Sequence, residues 1–249
     1  VEDNQLSALI NNVFGTKAIL DAAVEANCRS FTLISTDKAV RPTNIMGSTK
    51  RLAELVCQAT SEVSNTTVIS MVRFGNVLGS SGSVIPTFKN QIENNGPVTI
   101  THRDITRYFM TIPEAAQLVI QSSGMAEGGD VFILDMGEPV KIYDMAKRLI
   151  RLSGKNYYEA GEVRPDDLAI KLEFTGLRPG EKLYEELLID ASALTTVHPK
   201  IMRAKESFIG KNDLENYLER MKISLIDDDF ELFYSLLDET KIGYARMKH

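Results

Sequence analysis

A short polar run in the first quarter of the chain brings together the functional groups of proton-transfer chemistry. Thr36, Asp37 and Lys38 place a hydroxyl, a carboxyl and an ammonium at consecutive positions. Lys50 follows Met46 by four residues, so both side chains fall on one face of a helix. A partly buried lysine beside a carboxylate and a cofactor can have its pKa tuned for proton transfer. These residues indicate a candidate site for acid–base chemistry.

The elements around the polar run predict how it is held. In chain order they are helix 5–27, strand 30–35, a helix from about 47 to 64, and strand 66–74. Alternating helices and strands are typical of a parallel sheet with helices on its faces. The polar run then lies at the carboxyl end of a strand, where such sheets bind ligands. Taken residue by residue, the alternative that Thr36 and Asp37 only cap a turn stays open.

The rest of the chain predicts further elements of both kinds. They are helices 84–94, 113–124, 140–152, 181–188, 211–223 and 227–238, and strands 97–101, 107–112, 130–135 and 169–174. No Pro- or Gly-rich linker marks a domain boundary.

The composition argues against several classes of protein. The 249 residues include 28 basic and 34 acidic side chains, a net charge of −6, which offers no basic face for nucleic acid. Apolar runs fall far short of the roughly 20 residues that span a bilayer. Cys28 and Cys57 lack C-x-x-C spacing and are predicted to be reduced, buried side chains of a cytoplasmic protein. With three histidines in the chain, no metal site is predicted.

Two other motifs lack the context of the sites that they suggest. The loop from Gly75 to Gly82 lies between a strand and a helix, but its glycines are not spaced as G-x-G-x-x-G. A substrate-side loop or a plain turn explains it better than a cofactor phosphate loop. His102, Arg103 and Asp104 match the kinase catalytic triplet, yet position 109 holds Phe where that motif needs a metal-binding Asn.

Several motifs in one order resemble the nucleotide-sugar 4,6-dehydratases, the polysaccharide-biosynthesis branch of the extended short-chain dehydrogenase/reductases. They are the stretches 11–16, 34–50, 73–86, 105–115 and 176–187, and the resemblance extends from the first residue to about position 205. It implies an α/β fold, with a Rossmann-like parallel sheet and a smaller mixed α/β substrate-binding region.

Within that fold, we expect residues 1–155 to form the remainder of the Rossmann-like catalytic domain, with some substrate-binding insertions. Residues 156–249 would form mainly a substrate-binding and C-terminal helical region. The family's N-terminal glycine-rich turn is not found in this sequence, so we expect the chain to be the C-terminal part of a longer protein. That protein is expected in the cytoplasm, or at the cytoplasmic face of the inner membrane if it is anchored as the long family members are.

The resemblance implies a reaction and roles for the polar run. A UDP-N-acetylhexosamine, typically UDP-GlcNAc, would be converted to a 4-keto-6-deoxy sugar with tightly bound NAD or NADP, recycled in each turnover. Asp37 would be the acid for the 6-hydroxyl and Lys38 the base at C5. Thr36 would orient the 4-hydroxyl, and Lys50 would hold the nicotinamide ribose. Met46 replaces the family's usual catalytic tyrosine and cannot exchange a proton, a replacement that is familiar in one subgroup.

The resemblance also implies binding residues. Cofactor contacts would come from Ser35, Lys50, Phe74 and Asn76, and substrate contacts from Asn76, Arg107, Arg178 and Glu181. Arginines suit a pyrophosphate because they are planar cations with several donors. The alternative for 178–181 is a simple helix start with Pro in the first turn, and Arg73 could be a salt-bridge partner at the sheet end. Family members oligomerise through helices that correspond to about 5–27 and 47–64, so a homo-oligomer is expected.

Two other functions stay open. A nucleotide-sugar 4-epimerase shares the fold and the first hydride step, but it does not need an Asp–Lys pair to expel water at C6. A non-catalytic fragment would bind a nucleotide sugar or a partner without turnover, because the sequence has no glycine-rich cofactor turn.

Overall fold

A computed structural model describes residue 2 and residues 4–80, 83–186, 193–204 and 206–244. The chain forms two compact units. Unit 1 comprises Val1–Phe74, Ala116–Asp135 and Glu186–His249, and unit 2 comprises Gly75–Ala115 and Met136–Glu185. The chain therefore passes from one unit to the other four times.

The described elements alternate along the chain as the sequence predicts. The helices are α1 (Gln5–Leu9), α2 (Gly15–Glu25), α3 (Ile45–Val63), α4 (Val84–Glu93), α5 (Ile112–Gly124), α6 (Ile142–Leu152), α7 (Lys211–Ile226) and α8 (Phe230–Glu239). The strands are β1 (Ser30–Ile34), β2 (Val68–Arg73), β3 (Asn76–Val77), β4 (Val98–Ile100), β5 (Thr106–Arg107), β6 (Phe109–Met110), β7 (Asp130–Leu134), β8 (Val140–Lys141), β9 (Tyr157–Glu159), β10 (Ile170–Phe174), β11 (Leu194–Thr195) and β12 (Ile201–Ala204).

Most of the predicted elements are confirmed to within a few residues, and three differ. The strand predicted over 107–112 is instead two short strands, β5 and β6, which pair with different partners, and α5 already begins at Ile112. Helix 5–27 is interrupted by a π-helical segment, Ile10–Phe14, which joins α1 to α2. The helix predicted over 181–188 is wrong for the described residues 181–186, which form loop and bends; residues 187 and 188 lie outside the described part. The strands that the sequence missed, such as β3 and β11, are two to four residues long, too short for an alternating pattern to show.

Unit 1 is built on a five-stranded sheet with the order β1-β2-β7-β12-β11. The first three strands are parallel, with Ser30 opposite Val68 and Ser70 opposite Asp130. Every residue of β7 is buried, as expected for a central strand covered on both faces. β12 runs antiparallel to β7, and β11 antiparallel to β12. The predicted α/β class is confirmed, with a mixed rather than wholly parallel sheet.

Helix α3 lies at the centre of unit 1. It packs against β2, the π-helical segment and helices α1, α2 and α7. These neighbours bury nearly all of its residues from Ile45 to Thr60, polar ones included. The expectation that the helices at 5–27 and 47–64 take part in oligomerisation stays a prediction.

Unit 2 has its own apolar core around a three-stranded parallel sheet, β4-β10-β9. Its buried members include Phe88, Val98, Ile170 and Leu172, with Ile150 from α6. Two short pairs complete the unit: β3 with β6 in parallel, and β5 with β8 antiparallel.

The two cysteines differ in their surroundings. Cys57 is buried in α3 as predicted, and burial raises the pKa of its thiol. Cys28 is exposed, so the prediction that it is buried is wrong. It follows the end of α2 in a turn at the surface rather than lying on the apolar face of the helix. None of the described helices is long and apolar enough to cross a membrane.

Candidate active site

The polar run follows β1 directly and is held against the strand beside it. The Ser35 amide donates to the Val72 carbonyl at 2.8 Å, and the Asp37 amide donates to the Phe74 carbonyl at 3.2 Å. The parallel ladder between β1 and β2 thus continues past the end of β1. A short 3-10 turn, Asp37–Ala39, then redirects the chain. The run lies at the carboxyl end of parallel strands, as the sequence predicts.

The three functional groups of the polar run form one hydrogen-bonded cluster. The Oδ1 atom of Asp37 accepts from the Thr36 hydroxyl at 2.9 Å and from the Lys38 ammonium at 2.8 Å. Asp37 is fully buried, whereas the Lys38 side chain is 21% exposed. The second carboxylate oxygen of Asp37 is buried without a hydrogen-bond partner among the described residues. Leaving a buried oxygen without a hydrogen bond costs free energy. In native proteins such an atom often has a ligand or a catalytic role that accounts for it.

Gly47 allows helix α3 to approach the polar run closely. A Cβ atom at this position would lie 2.2 Å from the Lys38 carbonyl oxygen and 3.1 Å from Pro42. The first turn of α3 is also fixed by Asn44, which accepts from the Gly47 amide at 2.8 Å, and by the carboxylate of Glu2. The close contact between this turn and Lys38 therefore requires a residue without a side chain.

Helix α3 brings Lys50 to the end of β1. The Lys50 ammonium donates to the Ile34 carbonyl at 3.0 Å. Burial lowers the pKa of Lys50, and the negative charge of Glu54 partly opposes that shift. Met46 is half-buried one turn earlier on the same helix, as its spacing predicts. Lys50 is thus a partly desolvated cation next to the polar run, as a proton-transfer or cofactor-binding role requires.

A buried charge network, formed by Arg51, Glu54, Arg73 and Glu206, lies beneath the polar run. The Arg73 guanidinium binds both oxygens of Glu54, at 2.7 and 2.6 Å, and both oxygens of Glu206, at 2.6 and 2.8 Å. Arg51 contacts each of the two carboxylates at 2.9 Å. The two cations and two anions balance, and their side chains are at most 6% exposed. The interpretation of Arg73 as a salt-bridge partner at the sheet end is confirmed.

Electrostatics keep the network ionised. Burial alone would raise the pKa of Glu54, but the charge and hydrogen bonds of Arg73, with help from Arg51 and Ser35, lower it to about 2. Burial likewise disfavours the charge on Arg73, yet Glu54 and Glu206 raise its pKa above the ordinary value. Sequence reasoning did not include Glu54 or Glu206 among the candidates. The signal in the sequence for Glu54 was an opposite charge, Arg51, three residues earlier in the predicted helix. The structure shows that both side chains are buried.

In unit 2, residues 178–181 form a turn and not the start of a helix. The Glu181 amide donates to the Arg178 carbonyl at 2.9 Å. Pro179 and Gly180 stand between them, and Gly180 has a φ of 71°. Proline followed by a residue of positive φ is the signature of a type II turn. The Glu181 carboxylate also accepts from the Arg178 amide at 3.1 Å. The Arg178 side chain is exposed.

Arg107 and Glu181 are brought together as an ion pair at 3.1 Å. Arg107 is 9% exposed, lies 3.6 Å from the Glu185 carboxylate, and donates to the carbonyls of Thr106 and Leu183. Its charge is therefore already balanced by two carboxylates within unit 2. Of the two arginines predicted for pyrophosphate, Arg178 has the exposed guanidinium, whereas Arg107 holds segment 181–185.

The remaining predicted residues take defined positions. Asn76, half-buried in unit 2, uses its amide group to donate to the Tyr108 carbonyl at 3.3 Å. Phe74, in unit 1, is half-buried and fixes Asp37 through its carbonyl. The Ser35 hydroxyl is directed at Glu54 and is buried there, at 2.5 Å from the carboxylate.

Lys50 and Asp37 are the side chains near the strand ends that could contact a cofactor. Lys50 offers a cation to a ribose or a phosphate beside the strand ends, with the unpaired Asp37 oxygen in the adjacent run. Across the described ranges, no group of three or more His, Cys, Asp or Glu side chains is placed to hold a metal ion.

Comparison with protein families gives one match over most of the chain. Residues 1–206 match the profile of a family described as "Polysaccharide biosynthesis protein". The match includes the polar run, the buried charge network and segment 178–181, and it stops before helices α7 and α8.

Curated relatives include proteins of two descriptions. The capsular polysaccharide biosynthesis protein CapD of Staphylococcus aureus is 51% identical over 229 residues, which cover 92% of this chain and 35% of CapD. A UDP-glucose 4-epimerase of Rickettsia canadensis (strain McKiel) is 35% identical over 185 residues, which cover 74% of this chain and 50% of the epimerase. The chain thus spans about a third to a half of the length of these relatives.

Solved structures share the fold. Pen from Bacillus thuringiensis superposes with a TM-score of 0.71 at 34% identity, over 86% of this chain and 69% of Pen. NAD complexes of dTDP-glucose 4,6-dehydratases share the fold at lower sequence identity. The predicted Rossmann-like fold is thereby confirmed.

Replacing Gly47 with alanine tests the close approach of α3 to the polar run. The new Cβ overlaps the Lys38 carbonyl, so Gly47→Ala should lower the free energy of unfolding by about 1–3 kcal/mol, measured by urea denaturation. Gly124→Ala is the matched control, because a Cβ there meets no atom within 4 Å. Equal stability of the two variants would contradict the close contact.

Acid titration tests the charge state of Glu54. In the folded chain the pKa of Glu54 is lowered from 4.5 to about 2, so the folding stability that this carboxylate contributes is present above pH 4.5 and is lost as the pH falls through the folded pKa. In Glu54→Gln, the free energy of unfolding should therefore depend less steeply on pH between 5 and 2 than in the wild type. Identical slopes would show that Glu54 is not held as the carboxylate.

Proposed function

Because the chain belongs to the polysaccharide biosynthesis protein family, we propose that it carries the catalytic residues of a nucleotide-sugar 4,6-dehydratase, a hydro-lyase. The substrate is a UDP-N-acetylhexosamine, UDP-GlcNAc in particular, and the product is a 4-keto-6-deoxy sugar for surface polysaccharide. The observation that carries this proposal is the Asp37–Lys38 ion pair, at 2.8 Å, with a buried carboxylate oxygen that has no partner among the described residues.

Elimination of water from the sugar needs a base at C5 and an acid at the 6-hydroxyl. The ion pair carries one proton, on Lys38, and its transfer to Asp37 along the hydrogen bond leaves an amine beside a carboxylic acid. The amine then takes the C5 proton, the C5–C6 double bond forms, and the C6–O bond breaks as Asp37 protonates the departing hydroxyl. Elimination thus restores the ion pair. Hydride addition at C6 would then leave an enolate at C5, to which the Lys38 ammonium would return a proton. The proton taken from the 4-hydroxyl would restore that ammonium, so the complete reaction releases only water.

Thr36 and Lys50 take part in the oxidation step. We assign the orientation of the sugar 4-hydroxyl to the Thr36 hydroxyl, which contacts Asp37 at 2.9 Å, and the nicotinamide ribose to Lys50. NAD or NADP, held through its nicotinamide ribose by Lys50, would supply the hydride chemistry between C4 and C6. Met46 stands where the family usually has a tyrosine, so no phenol hydroxyl can take the proton of the sugar 4-hydroxyl. We assign help with that proton to Lys50, because burial lowers its pKa.

The binding residues of unit 2 suit a nucleotide diphosphate. Arg178 presents an exposed guanidinium, the planar donor set that phosphates favour. Asn76 is assigned to the diphosphosugar and Glu181 to the ribose hydroxyls. Arg107 is assigned a supporting role, because its charge already holds Glu181 and Glu185 in place.

A 4-epimerase acting on the same class of substrate is the second candidate, and the 35% identical Rickettsia epimerase favours it. Epimerisation would return the hydride to the opposite face of C4 without expelling the 6-hydroxyl. Epimerisation therefore needs neither an acid at the 6-hydroxyl nor a base at C5. The adjacent carboxyl and amine of Asp37 and Lys38 thus favour dehydration. A chain that binds a nucleotide sugar without turnover is the third outcome of the experiment below.

Product analysis separates the three outcomes. The protein expressed from its complete gene is incubated with UDP-GlcNAc and NAD, and the sugar product is followed by proton NMR. Dehydration yields a C6 methyl signal, and epimerisation yields UDP-GalNAc. Substrate binding in calorimetry without any product would support a binding protein instead.

A Lys38→Ala variant tests the assignment of the base. Loss of the amine should abolish both dehydration and the exchange of the sugar C5 proton with deuterated solvent, because no other group of the polar run takes that proton. Lys89→Ala, at an exposed position on α4, serves as the control and should retain both. Wild-type C5 exchange in Lys38→Ala would assign the base elsewhere.

A further inference from the structure

Both the backbone and the side chain of Ser35 are held in place. Its amide donates to the Val72 carbonyl at 2.8 Å, and its hydroxyl donates to Glu54 at 2.5 Å. Ser35 is 4% exposed and directly precedes Thr36. The Val72 carbonyl and the Glu54 carboxylate therefore together fix the direction in which the chain leaves β1 toward the polar run.

Helix α3 holds two successive residues of this segment. Lys50 donates to the Ile34 carbonyl at 3.0 Å, and Glu54, one turn later on the same face, accepts from Ser35. Because both contacts come from one rigid helix, they fix the distance between Lys50 and the start of the polar run.

Glu54 is itself immobilised. Arg73 binds its two oxygens at 2.7 and 2.6 Å, and Arg51 binds one of them at 2.9 Å. A bidentate guanidinium–carboxylate pair restricts both position and orientation. The hydroxyl of Ser35 therefore meets a fixed acceptor within a fully buried ion pair.

We propose that Ser35 and Glu54 are positioning residues, whose hydrogen bond holds Thr36, Asp37 and Lys38 in the geometry needed for proton transfer. The catalytic part of this inference rests on the proposed function. It gives Ser35 a role different from the cofactor contact that the resemblance implies, because the hydroxyl is directed into the protein. Neither residue is assigned a contact with the substrate, so both act through the polar run.

Two serine-to-alanine variants provide a matched test. Ser35→Ala removes the hydroxyl bound to Glu54. Ser70→Ala removes a hydroxyl on β2 that is also buried and lies 3.1 Å from the hydroxyl of Thr32. Each variant removes one side-chain hydrogen bond in or next to β1, that from Ser35 to Glu54 of α3 or that between Ser70 and Thr32 of β1. A purely structural role of Ser35 would give the two variants the same phenotype.

Amide hydrogen exchange reports the geometry without requiring activity. In Ser35→Ala, the amides of Asp37, Ala39 and Val40 should exchange faster than in the wild type, because these amides form the hydrogen bonds that fix the polar run. In Ser70→Ala, they should exchange at the wild-type rate. Unchanged exchange in Ser35→Ala would overturn the inference.

Kinetics of the protein expressed from its complete gene report the catalytic consequence. A misplaced polar run should lower kcat in Ser35→Ala by about 10–100-fold while KM for UDP-GlcNAc stays near the wild-type value. Ser70→Ala should retain kcat. Wild-type kcat in Ser35→Ala, or an equal loss in both variants, would overturn the catalytic part. If the wild-type protein itself forms no dehydrated product, the proposed function fails, and the exchange rates alone decide whether Ser35 positions the run.

Discussion

The bidentate pair between Arg73 and Glu54 is the interaction on which the rest of unit 1 depends. It joins the end of β2 to the middle of α3 inside the protein, where an unpaired charge would cost several kcal/mol. Arg51 and Glu206 complete the balance and connect the segment that follows β12 to the same point. Sheet, central helix and C-terminal segment are thus fixed relative to one another by one set of charges. The polar run begins at the edge of this set, at Ser35.

A buried arginine fixes the position of a glutamate carboxylate in each of the two units. In unit 1, Arg73 holds the carboxylate that accepts from Ser35, and in unit 2, Arg107 holds the carboxylate of Glu181. In each case a buried arginine has its charge balanced within the protein, while an exposed or half-buried cation nearby in the same unit, Lys38 or Arg178, remains accessible. Burying the first cation makes the scaffold rigid, and the second is the one to which the proposed function assigns chemistry or binding.

The sequence predicted well what depends on neighbours along the chain. Periodicity located α3, β2 and β7, and residue types identified Thr36, Asp37 and Lys38 as a chemical group. It missed Glu206 because its partner Arg73 lies 133 residues away, and no local pattern reports such a pair. Glu54 has a local partner in Arg51, but the residue that binds both of its oxygens, Arg73, is 19 positions away on another element. The helix predicted over 181–188 failed at its start, where Pro179 and a positive-φ Gly180 make a turn. The resemblance supplied the roles of the site residues, which the local pattern alone left open.

The separation between Arg73 and Glu206 has a consequence for biosynthesis. At ribosomal rates of about 5–20 residues per second, roughly 7–27 s pass between the synthesis of the two residues. During that interval Arg51 and Arg73 have only one of their two carboxylates, and β7 has no β12 beside it. A nascent chain arrested between residues 134 and 201 therefore has an unbalanced cation pair and an open edge on β7. Such a chain is a natural substrate for chaperones and proteases.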